Sequence, residues 1–106
     1  MLTVSYRFKI HPQKSEVFEE AWKEVTQLIY LHCGSLGSRL YKSSENSYFG
    51  IAQWPDKRTL EESNLESFDT DNWRSKMRAC CESIEKLDEL ELILDLWEDK
   101  SSNSKV

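Results

Sequence analysis

Leu2, Val4, Tyr6, Phe8 and Ile10 alternate with Thr3, Ser5, Arg7 and Lys9. A period of two belongs to a β-strand with one apolar face, so the chain must begin in a sheet with something apolar laid over one side. His11-Pro12 breaks the extended run, and the period changes. Val17, Phe18, Ala21, Trp22, Val25, Leu28 and Ile29 return at helical spacing, which predicts a helix over residues 14–31 ended by Cys33-Gly34. Glu20 and Glu24 form a like-charge pair on its exposed face, so packing rather than intrinsic propensity has to hold this helix.

Leu36, Leu40 and Tyr41 mark a less regular second strand over residues 35–43, with Gly34 and Gly37 allowing a bend at its start. The polar run Ser44-Glu45-Asn46-Ser47 turns the chain into a third strand, residues 48–54, which Pro55 stops. Asp56 stands where its carboxylate can cap a short helix over residues 56–63. A longer helix is expected over residues 71–83, burying Trp73, Met77, Cys80, Cys81 and Ile84. A final strand is expected where Leu90, Leu92, Leu94 and Leu96 alternate with Glu91, Ile93, Asp95 and Trp97, with helix as the rival reading.

Strand, helix, strand, strand, helix, strand is the split β-α-β order of a ferredoxin-like α+β domain, a four-stranded antiparallel sheet with helices on one face. The bare face, with residues such as Ile51, Ile93 and Trp97, requires burial, and a homodimer formed through the sheets, a dimeric α/β barrel, is the expected answer. With 106 residues there is material for one core, read as one domain over residues 1–100 with a polar, frayed tail over 101–106.

Composition narrows the classes of function. A net charge of −5 with scattered Lys and Arg argues against nucleic acid, and no run approaches the roughly 20 apolar residues of a membrane span. Residues 1–7 have neither the basic nor the apolar region of a signal peptide, so a cytoplasmic location is expected. Cys33, Cys80 and Cys81 are read as reduced thiols; an ordinary disulfide between neighbours is strained, and two distant histidines do not complete a zinc site. No nucleophile motif, phosphate loop or dinucleotide fingerprint is present, and no cofactor is expected.

The strand ending Phe8-Lys9-Ile10-His11-Pro12, the helical Phe18-Glu19-Glu20-Ala21-Trp22, the run Gly34-Ser35-Leu36-Gly37-Ser38-Arg39-Leu40-Tyr41 and the strand Tyr48-Phe49-Gly50-Ile51-Ala52-Gln53-Trp54 together resemble the antibiotic-biosynthesis-monooxygenase (ABM) domain over nearly the whole chain. The resemblance implies a dimer whose two sheets form one barrel, with a pocket between helices and sheet. Activities differ across the family, from cofactor-free oxidation of polyphenols by molecular oxygen to haem degradation, so the fold leaves the reaction open. The haem-degrading pattern needs an Asn on the first strand, a Trp after the third strand and a His on the second long helix as iron ligand; the Asn and His positions fall here on Tyr6 and Met77, which provide neither group. The implied function is cofactor-independent oxidation of a small aromatic or quinol-like compound, and the alternative is a non-catalytic small-molecule-binding or stress-related dimer.

The candidate residues each have a plainer use. Tyr6 can hydrogen-bond a phenolic substrate, though a core tyrosine with its hydroxyl at the edge is the commoner role. Trp54 and Trp73 can wall a flat ligand or merely supply packing area. Met77, four residues from Trp73, is expected on the same helix face, so that Tyr6, Trp54, Trp73 and Met77 converge on one cavity gated by residues 68–72. His32, at a helix end, is the better histidine for proton transfer, but a cap or solvated side chain is the usual fate of such a residue. Arg39 can meet a substrate oxyanion or balance a carboxylate across the barrel.

Overall fold

The computed structural model describes residues 1–98. Its elements, in order, are β1 (Leu2–Ile10), α1 (Ser15–His32), β2 (Gly37–Ser44), β3 (Ser47–Trp54), α2 (Lys57–Glu61), α3 (Trp73–Ala79) and β4 (Cys81–Glu91). The strands form one antiparallel sheet in the order β2-β3-β1-β4, with the helices packed on one face, the ferredoxin-like arrangement. The tail over residues 101–106 lies outside the described residues, as do the last two positions of the expected domain.

The first half follows the sequence pattern closely. Phe8 and Ile10 are buried in one cluster with Phe18, Ala21 and Val25 of α1, and Val4 is buried as well. Gly34, at φ +84, takes the left-handed conformation that ends α1, and a Cβ there would meet Thr59 Cγ2 at 2.8 Å. Glu45 and Asn46 make the tight connection between β2 and β3. The Asp56 carboxylate accepts from the Thr59 amide at 2.8 Å and caps α2, a hydrogen bond that holds its pKa below the ordinary carboxylate value.

The second half departs from the pattern. The helix expected over 71–83 is only Trp73–Ala79, and the last strand is Cys81–Glu91 rather than the stretch 90–97. Cys81 therefore opens a strand instead of closing a helix, and Ile84 is exposed on β4 instead of buried on α3. The cause lies in two register shifts against β1, between Ser5 and Tyr6 and between Lys9 and Ile10. Each inserts an extra residue into β4 and breaks its alternation, while Cys81, Ile84, Leu87 and Leu90, three apart in sequence, imitate a helix although Leu90, opposite Thr3, faces away from Cys81 and Ile84. Residues 92–98 have no regular structure; Ile93, Leu94 and Leu96 are 76%, 78% and 89% exposed. Trp97 comes back over β2, its ring 3.8 Å from the Arg39 guanidinium carbon.

Candidate functional site

Strand pairing sets the helix-covered face out in rows. Lys42, Tyr48 and Phe8 align in one row, Leu40, Gly50 and Tyr6 in the next, and Ser38, Ala52 and Val4 in the third. Large rings fill the first row, where Phe8, Phe18 and Tyr48 interlock at centroid distances of 5.2 and 4.8 Å. The other two rows contain Gly50, Ala52 and Ser38, whose small side chains leave the space above the sheet unfilled. A cavity of about 570 Å³ occupies it, covered by Trp22, Val25, Thr26 and Ile29 of α1 and by Arg74, Met77 and Arg78 of α3. A Cβ on Gly50 would already press on the Phe8 ring at 3.0 Å.

The walls are mainly apolar, with a few polar groups, as in many small-molecule sites. Tyr6 is half-buried, and loss of solvent raises its phenol pKa, opposed by Lys86, reinforced by Glu89 and opposed by Arg74. The phenol is thus protonated at neutral pH and can donate a hydrogen bond. Trp54 is 4% exposed and lines the cavity, but its indole N–H is fully buried, with no acceptor among the described residues. Burying an unpaired donor costs free energy, on the order of 1–3 kcal/mol. Arg74 and Arg78 are the only cations in the lining, and no Asp, Glu or His is found there among the described residues. Nearby, Glu89 is neutralised by Lys86 and by Lys57, the latter at 3.5 Å.

Of the residues singled out from sequence, Tyr6, Trp54 and Met77 come together around this cavity, and Trp73 and His32 do not line it. Trp73 is half-buried against the core with the Lys76 ammonium 4.3 Å from its ring centre. Trp73 and Met77 do sit one turn apart, but the cavity lies on the Arg74 and Arg78 side of α3. His32 borders a separate, more polar hollow with Thr59, Glu62 and Asn64, and stacks on Phe68 at 4.2 Å with the rings 2° from parallel. The expected gate, residues 68–72, is anchored by that stack and by the Asp69 carboxylate, which accepts from the Trp73 and Arg74 amides at 2.8 and 2.9 Å.

The sequence reading missed Trp22, Arg74 and Arg78. A signal for the arginines was available, since positions 74, 77 and 78 share one helix face. The thiols of Cys80 and Cys81 donate to the carbonyls of Lys76 and Met77, each at 3.3 Å. Burial, with Cys80 adjacent, pushes the Cys81 pKa up to about 11, so little of its reactive thiolate form exists at neutral pH. No cluster of three or more ligating side chains is present among the described residues.

No family model matches the sequence, and no curated protein does. Solved structures share its fold. SnoaB, a cofactor-independent oxygenase from Streptomyces nogalater, superposes with a TM-score of 0.67 at 22% identity, over 92% of this chain and 97% of its own. A putative antibiotic biosynthesis monooxygenase from Bordetella bronchiseptica gives 0.71 at 18% identity, over 88% and 97%. A MhuD variant with two manganese protoporphyrin IX molecules bound per active site gives 0.65 at 14% identity, over 92% and 100%. The chain thus has the fold of the ABM-type monooxygenases.

Proposed function

We infer that this chain is an ABM-type, cofactor-independent monooxygenase that oxidises a small phenolic or quinol-like aromatic in the cavity beneath α1. The observation carrying this reading is the apolar cavity with the protonated Tyr6 among its lining residues as a hydrogen-bond donor. The Tyr6 hydroxyl suits an oxygen of a flat polyphenol, while Trp22 and Met77 offer apolar contact to its ring. Oxidation of a phenol to a quinone by molecular oxygen needs no further reductant. One oxygen atom becomes the new carbonyl, and the other leaves as water with the ring hydrogen and the phenolic hydrogen. The protein's part is to orient the ring, exclude bulk water and stabilise charge on the substrate oxygen. His32 and Trp73 are left out of this assignment because neither lines the cavity.

A homodimer formed through the uncovered sheet face belongs to the same proposal. Tyr41 and Leu90 are exposed on that face, and Ile93, Leu94 and Leu96, beyond β4 rather than on a strand, stand largely exposed too; apolar surface of this kind calls for covering. The three cysteines are free, which supports the reducing, cytoplasmic setting expected from sequence. A monomer in light scattering at micromolar concentration would remove the dimer from the proposal.

The second reading, a binding protein without turnover, is favoured by one observation: the described lining contains no carboxylate or imidazole to serve as a general base. Oxygen uptake with a panel of quinols decides between them. Turnover above the spontaneous rate, lowered in Tyr6→Phe, is expected for the oxygenase. Ligand-induced rises in melting temperature with no oxygen uptake would replace it with the binding protein.

A further inference from the structure

We propose that the cavity selects anionic aromatic compounds, with the Arg74 and Arg78 guanidinium groups holding a negatively charged oxygen on the ring, either a carboxylate or an ionised hydroxyl. This rests on the reading of the cavity as the ligand site and deepens it to a substrate class. The chain as a whole carries a net charge of −5, yet the cavity lining contributes two cations and no described anion. That reversal of sign is local. A cleft lined by one sign of charge raises the local concentration of ligands of the opposite sign.

Neither guanidinium is engaged with a carboxylate of the described residues. Among the described residues the ion pairs are Lys57 with Glu89, Arg58 with Glu62 and Lys86 with Glu89, leaving Arg74 and Arg78 unpaired. They sit one turn apart on α3, flanking Met77, so both can reach one group at the mouth while the ring lies against the thioether. Glu89 could otherwise cancel this field, but its two lysine partners neutralise it. Arg74 is also near enough to oppose the rise in the Tyr6 pKa.

The arrangement also accounts for a site without a general base. A planar fork of N–H donors stabilises an oxyanion bidentately, so two of them lower the pKa of a bound aromatic hydroxyl and favour its electron-rich phenolate without a protein carboxylate or imidazole taking the proton. Water at the open mouth carries that proton away.

The test compares two ligands of one shape, 1-naphthoate and 1-naphthalenemethanol, by calorimetric titration of the whole chain. Charge-assisted hydrogen bonds predict tighter binding of the naphthoate by about tenfold at low ionic strength, with the advantage shrinking as salt is added. Arg74→Gln combined with Arg78→Gln should erase the difference by lowering naphthoate affinity far more than naphthalenemethanol affinity; the Lys versions should restore part of it. Both arginines are solvent-exposed helix residues, so the variants are expected to fold, and circular dichroism checks this. Equal affinity of the two ligands for the unmodified chain, binding of neither, or a naphthoate preference that survives the double Gln variant would overturn the proposal. A naphthoate preference without quinol oxidation would retire the oxygenase and leave the anion site standing. Oxidation of neutral quinols without any preference would do the reverse.

Discussion

The two ends of the helix–sheet layer are built from the same elements and differ in what fills them. Towards Ile10, β1, β3 and the first turns of α1 bring together Phe8, Phe18 and Tyr48, and the space is closed. Towards Leu2, the same strands carry Gly50 and Ala52 under the later turns of α1, and the space stays open. Backbone geometry is shared, so side-chain volume makes the difference. One end can be specialised for stability while the other, on the same strands, carries a site.

The comparison breaks most visibly at its closed end. Phe18 is fully buried and touches the rings of both sheet strands, so Phe18→Ala should destabilise the chain by about 3–5 kcal/mol, the cost of an unfilled hole in a packed core. For a domain of this size that corresponds to a fall in melting temperature on the order of 15 °C or more. A loss below about 1 kcal/mol would mean that the closed end is no better packed than the open one.

Trp73→Ala sharpens the boundary between packing and site. The ring is half-buried against the core and lies outside the cavity, so its removal should cost about 2–3 kcal/mol. Affinity for an aromatic ligand should stay unchanged in calorimetry on the folded variant. A selective loss of affinity at constant stability would return Trp73 to the ligand site that the helical spacing alone suggested.

How much could be read from the sequence follows the same divide between regular and interrupted pattern. The alternation from Leu2 to Ile10 and the helical stripe from Val17 to Ile29 each have one uninterrupted period, and both elements stand within a residue or so of expectation. β4 is hidden in the sequence because its two bulges interrupt the period of two while its apolar residues fall three apart, and because the later stretch 90–97 alternates more cleanly than the strand itself. Within the site, Tyr6 and Trp54 could be found because strand alternation assigns a face without knowledge of the partners. Trp73 could not be separated from Arg74 and Arg78 in that way. Several faces of a short helix look equivalent until its rotation against the sheet is known, and the apolar residue attracts the assignment.

At the open end, Trp54→Phe tests what the buried, orphaned N–H costs. The substitution keeps an aromatic ring at the end of β3 and removes the unpaired donor. Lost packing area and relief of the unpaired donor oppose each other, so urea midpoints should report a stability change of about 1 kcal/mol or less, and ligands with and without an acceptor oxygen should lose affinity equally. A selective loss for the ligand with the acceptor oxygen would show that the indole turns its N–H to the ligand.

The smallest effect belongs to Tyr48, back at the closed end, where the one polar group among the interlocked rings reports on burial. Its hydroxyl donates to the Glu19 carboxylate, and burial first, then that acceptor, raises the phenol pKa above its ordinary value of 10.0. A pKa higher in the folded chain than in the unfolded one means that the folded state holds the proton more tightly. The associated stability is fully present below pH 10.0 and is lost as pH climbs through the raised folded value. Tyr48→Phe keeps the ring and removes the titration. At neutral pH it should cost less than about 1 kcal/mol, because Glu19 is exposed and is rehydrated by water. Above pH 10.0 the stability of the variant should fall less steeply than that of the unmodified chain, measured as urea midpoints across the alkaline range. Parallel slopes would mean that the Tyr48 hydroxyl is as well solvated in the folded chain as in the unfolded one, and the closed end would then be less tightly sealed than its rings imply.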